Sequence, residues 1–100
     1  VEDYSPYPKA LRRVKTLVPR GGEAFFSPRW MRDGDRLLVS RFVPLPDGRT
    51  RPDLFVWDYK RNKTRRVTRG AGIVLADEIP GGSRAAALTC GSGTCSIVTV

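Results

Sequence analysis

The chain has no histidine among its 100 residues, which removes the commonest general base and the commonest metal ligand. Cysteine is scarce: Cys90 and Cys95 are the only two, and their spacing is neither a redox CxxC pair nor a zinc ligand pattern. No metal and no cofactor is expected. Long apolar runs are missing as well, and none approaches the roughly 20 residues that span a bilayer. The opening Val1-Glu2-Asp3-Tyr4 is acidic without an apolar core and does not read as a secretory leader. The absence of an initial Met points to a processed product or a piece of something longer. Acidic side chains are outnumbered, 10 against 18 Lys and Arg, for a net charge of +8. Nucleic acid, an anionic membrane surface or an acidic protein all suit such a charge. A solvated, Arg-biased surface is the simpler reading.

What is present is a series of short apolar stretches divided by turn residues. Residues 1–23 form an extended lead-in segment, eligible as the outer strand of a preceding unit. Within it, 9–20 (KALRRVKTLVPR) has apolar residues at helical spacing but also the alternation Val14, Thr16, Val18, and an extended strand is favoured. From Ala24 the pattern is clearer. Strands are predicted at 24–30, 36–42, 53–59 and 64–68. Pro28 marks a strand end, a bulge or an edge, because proline has no donor to give a ladder. Asp33-Gly34 marks a tight hairpin. The three prolines and Asp47-Gly48 of 43–52 mark a long hairpin loop. In DLFVWDY, Leu54, Val56 and Asp58 fall on one face and Phe55, Trp57 and Tyr59 on the other, as in a sheet covered on both sides. The charges of 64–68 suit an outer edge that must not pair with another chain.

The order then restarts. Further strands are predicted at 73–76, 84–90 and 95–100, with turns at Pro80-Gly81-Gly82-Ser83 and Gly91-Ser92-Gly93-Thr94. RAAALTC matches RLLVSRF, placing Arg84 on Arg36, and CSIVTV matches DLFVWD, placing Ser96 on Leu54. A period in the forties with four short strands per unit is the signature of a β-propeller. The fold class expected is therefore all-β, with antiparallel four-stranded blades: one full blade at 24–69, and a second, incomplete one at 70–100. Two stacked antiparallel sheets follow from that division.

The stretches SPRWMRDGDRLLVS, PDLFVWDYKRNKTRRVTRG and ADEIPGGSRAAAL resemble the TolB-like, WD-repeat-like propeller repeats of bacterial exported proteins. Asp33-Gly34, the strand at 36–39, Val56-Trp57-Asp58 and Arg65-Arg66-Val67-Thr68 carry the likeness. Met31-Arg32 stands where the repeat has Ser-Pro, and Ile79-Pro80-Gly81-Gly82 lacks the Asp of the second turn. The resemblance implies a segment of a longer propeller, a periplasmic or outer-membrane location, and another protein as partner, either an envelope protein or an adjoining domain. It also admits the propeller of a prolyl-oligopeptidase-like enzyme, with catalysis outside this chain.

No catalytic constellation stands out. Asp33, Asp35, Asp47, Asp53, Asp58 and Asp77 are the candidates for an acid–base pair, but Asp33 and Asp47 occupy Gly-containing turns where Asp is the usual turn former. Ser27 and Ser92 lack the Gly-x-Ser-x-Gly frame and a histidine. Cys90 and Cys95 face each other across a short hairpin, as a disulfide or as two small buried thiols. Basic residues cluster at Lys9, Arg12, Arg13, Lys15 and Arg20, and again at Lys60, Arg61, Lys63, Arg65, Arg66 and Arg69. Trp30 and Trp57 read as core rather than stacking platforms, which disfavours nucleic acid. The binding candidates are Arg41, Arg49 and Arg51 around the 43–52 loop, and Arg65 and Arg66 on the basic strand. The expectation is a non-enzymatic scaffold; polyanion binding through the basic rim is the alternative. Bare apolar faces should leave the isolated chain marginal or prone to aggregate.

Overall fold

The structure is a computed structural model that describes residues 24–100. The lead-in segment at 1–23, the strand favoured in 9–20 and the first basic cluster lie outside the described residues. Seven strands follow: β1 (Phe25–Trp30), β2 (Arg36–Pro44), β3 (Thr50–Asp58), β4 (Lys63–Arg66), β5 (Ile73–Glu78), β6 (Ala85–Gly91) and β7 (Thr94–Thr99). They form two antiparallel sheets, β1-β2-β3-β4 and β5-β6-β7. Among the described residues there is no helix, so none is long and apolar enough to cross a membrane.

Local chemistry explains the bulge in β1 and the turn that follows it. Pro28 sits in a β-bulge: the register shifts between Phe26 and Arg29, and Ser27 takes φ +53°. At the β1–β2 turn the Asp33 carboxylate accepts from Asp35 N at 2.9 Å, Arg36 N at 3.2 Å and Arg36 Nε at 2.7 Å. The carboxyl lies below its usual range, chiefly through the Asp35 N–H and then the Arg36 side chain.

The loop expected at 43–52 is shorter than its prolines suggest. β2 runs to Pro44 and β3 starts at Thr50, so only residues 45–49 form the loop. The prolines are tolerated because of where their nitrogens point. Leu54 N turns away from β2 to Thr68 Oγ1. Pro52, two residues earlier, therefore points to the same side, and β4 pairs only as far as Phe55. Pro44 likewise faces the β1 side, where pairing stops at Arg41. Neither missing donor breaks a ladder bond. Trp30, expected in the core, is 58% exposed on the edge strand, with its ring edge-on to Tyr59 at 5.4 Å.

One core lies between the sheets. Leu38, Leu54 and Val56 meet Ile73, Ala76, Ala85 and Ala87, with Met31, Ala71, Val98 and Val100 against them. A second cluster, Leu37, Val39 and Phe55, occupies the other face of the first sheet with Phe25, Trp57 and Tyr59. Both faces of β3 are thus apolar, as its sequence predicts.

The second sheet repeats the first in register. The pair Trp30↔Leu37 recurs as Glu78↔Ala85, and the one-residue bulge recurs between Ile73 and Leu75. The turn bond from Met31 N to Arg36 O recurs from Ile79 N to Arg84 O. Leu38↔Val56 corresponds to Ala86↔Thr99, so Leu54 corresponds to Ile97 and not to Ser96, one residue from the match the sequence suggests. These matches fix the orientation of the sheets. Leu37, Val39 and Phe55 correspond to Ala85, Ala87 and Val98, which face the first sheet. The two sheets therefore stack head to tail, each presenting the same face in the same direction.

Candidate functional site

The linker from β4 to β5 is held on both sides. Asp53, 0% exposed, is the fourth residue of β3. Its Oδ1 accepts from Thr68 Oγ1 at 2.7 Å and Ala71 N at 2.9 Å; its Oδ2 accepts from Arg66 Nη2 at 2.6 Å and Gly70 N at 2.8 Å. On the far side Thr89 Oγ1 donates to Ala71 O, and Cys90 N donates to Gly72 O at 3.0 Å. The linker is thereby clamped between β3 and β6, one strand from each sheet. Burial alone raises the Asp53 carboxyl, but the Ala71 N–H, the Thr68 hydroxyl, the Gly70 N–H and the Arg66 side chain together hold it below its ordinary value. A carboxyl depressed in the folded state stabilises above its unfolded pKa of about 3.9 and ceases to do so as pH falls through the lower folded value. Urea midpoints should therefore fall steeply as pH drops below about 4, and D53N should flatten that slope.

Beside this clasp, the β2–β3 and β6–β7 hairpins close on a cavity of about 370 Å³. Leu45, Arg49, Arg51 and Pro52 line one wall, and Cys90 and Ser92 the other. Cys90 and Cys95 are a directly opposed cross-strand pair with Cα atoms 4.1 Å apart, and they are joined as a disulfide. The β6–β7 turn is Ser92-Gly93, both at positive φ, the geometry that matches strand twist. Arg51 lies across the linker: a Cβ on Gly72 would stand 2.8 Å from Arg51 Nε and 2.9 Å from Cys90 O. Gly72, at φ +71°, has neither the space nor the backbone conformation for a side chain.

The arginines singled out from sequence divide among several places. Arg49 and Arg51 share the cavity, with Arg49 Nε paired to Asp47 at 2.7 Å on the surface. Arg41 is placed elsewhere, its Cζ 5.8 Å from the Phe25 ring centre and 6.0 Å from that of Phe55. Arg66 is committed to Asp53 and, through Nε, to Thr68 O at 2.9 Å. Arg65 is exposed on β4, at the rim of a separate cleft between the sheets that also holds Glu78 and Arg84. Asp33, Asp47 and Asp58 accept local hydrogen bonds that shape turns, and Asp53 accepts those that hold the linker. No group of three His, Cys, Asp or Glu residues able to hold a metal occurs among the described residues. Neither a family model, nor a curated protein, nor a solved structure matches the chain.

Proposed function

We propose that the chain is a non-catalytic β-propeller segment that serves as a protein-interaction scaffold in an exported bacterial protein. The observation that carries this reading is the head-to-tail repeat of the two sheets. In such a stack every interface is formed by two different faces, so the arrangement does not close after two units. The outward face of the second sheet keeps the character of an interface. Leu75 pairs with Leu88 and Leu88 with Ile97, an apolar row across all three strands. Ile97 is 73% exposed there, whereas its counterpart Leu54 is 1% exposed under the second sheet. A further sheet of the same kind is the partner this face fits. The Cys90–Cys95 disulfide is in keeping with an oxidising, exported location.

Sedimentation velocity over a wide concentration range tests the reading. The expected result is a sedimentation coefficient that rises with concentration for the wild type and stays constant for Ile97→Glu. A strictly monomeric wild type with one cooperative melt would overturn it.

A further inference from the structure

The cavity holding Arg49 and Arg51 has a neighbour of about 490 Å³ lined by Phe42, Val74, Thr94 and Cys95. Pro52, Cys90 and Gly91 line both, so the two cavities adjoin beside the disulfide hairpin as parts of one grooved surface. The halves differ in chemistry. The first carries two guanidinium groups and no carboxylate in its wall. The second is mainly apolar, and Phe42 on its rim is 38% exposed and stacked on Phe26 at 5.3 Å.

Arg51 decides what the groove is suited to hold. It is half-buried, it makes no ion pair among the described residues, and Gly72 beneath it leaves room for its guanidinium. Arg49 spends its Nε on the exposed Asp47 carboxylate and keeps its terminal donors for a ligand. A partly desolvated guanidinium forms short, directional bonds to a carboxylate. The floor is rigid: the disulfide ties one wall together, and the Asp53 clasp fixes the linker on which Arg51 lies.

We infer that this groove binds an acidic peptide segment in which a carboxylate side chain neighbours an apolar one. The carboxylate takes the Arg49–Arg51 half and the apolar side chain takes the Phe42–Val74 half. This inference rests on the scaffold reading and gives its partner a chemistry; its two arginines belong to the first sheet, apart from Ile97 on the second.

The test is fluorescence anisotropy with the full chain and a labelled hexapeptide alternating glutamate and leucine. Two peptides of equal length serve as controls, one alternating glutamine and leucine, the other glutamate and serine. Both controls are expected to bind at least about tenfold more weakly, since each leaves one half of the groove idle. Arg51→Gln should weaken the glutamate–leucine peptide about tenfold and the exposed Arg49→Gln about threefold, while Arg65→Gln stays within about twofold. Thermal melts confirm that each variant is folded. Equal binding of either control peptide would overturn the inference. So would an equal loss with Arg65→Gln, which would indicate diffuse attraction to positive charge, or no binding at millimolar peptide. Concentration-dependent association through Ile97 with no peptide binding would remove the groove alone; peptide binding by a strictly monomeric chain would remove the stacking reading alone.

Discussion

Asp53→Ala should lower the unfolding free energy by about 3–5 kcal/mol, the cost of removing one partner from a buried charged network. The loss is large because the carboxylate has four donors and all of them are left behind. The Gly70 and Ala71 N–H groups face the emptied site, and the Arg66 guanidinium and Thr68 hydroxyl lose their acceptor. Unmade bonds of this kind cost more than the original bonds contributed, because the desolvated donors remain. Asp53→Asn should recover little of the loss, since its amide nitrogen would be aimed at donors. Thr68→Val should cost about 2–3 kcal/mol, because it removes a donor from the charged carboxylate and leaves Leu54 N without its acceptor. Asp33→Ala, on an exposed turn, should cost much less than Asp53→Ala. Equilibrium urea unfolding at neutral pH measures all four. A loss under about 1 kcal/mol for Asp53→Ala would mean that the linker holds its course without the carboxylate.

The strands were legible because their residues alternate or run apolar between turn-forming Asp and Gly. RLLVSRF and DLFVWD could hardly read otherwise, and both became central or near-central strands. The misreadings came from what one strand cannot know of its neighbours. Pro44 and Pro52 looked like loop markers, yet each lies beyond the reach of the strand that would need its donor. Trp30 has the composition of a core residue, yet β1 is the edge strand of its sheet and leaves it exposed. Asp53 was visible only as one carboxylate among several. The available signal was a charge at the head of an apolar strand, where burial demands partners. Those partners are 13 to 18 residues away along the chain, in a linker whose course no local pattern fixes. The groove was half legible: Arg49 and Arg51 were candidates, but the opposite wall belongs to the other sheet.

The second large effect is a contrast between two residues that occupy one position of the repeat. Leu54→Ala should cost about 2–5 kcal/mol, the range for truncating a leucine that leaves a cavity in a well-filled core. Ile97→Ala should change stability by less than about 0.5 kcal/mol, as expected of a surface site. The register makes these residues equivalent, so neither strand propensity nor place in the sheet distinguishes them. The difference is cover: the second sheet lies over Leu54, and no described residue lies so over Ile97, which remains 73% exposed. Urea unfolding of the two variants at low protein concentration reads this difference directly. Adding a further sheet to the outward face should then move Ile97 toward the behaviour of Leu54, and Ile97→Ala should become costly only in that complex. Equal costs for the two substitutions in the isolated chain would show that the outward face is already closed, and the head-to-tail argument would fail with it.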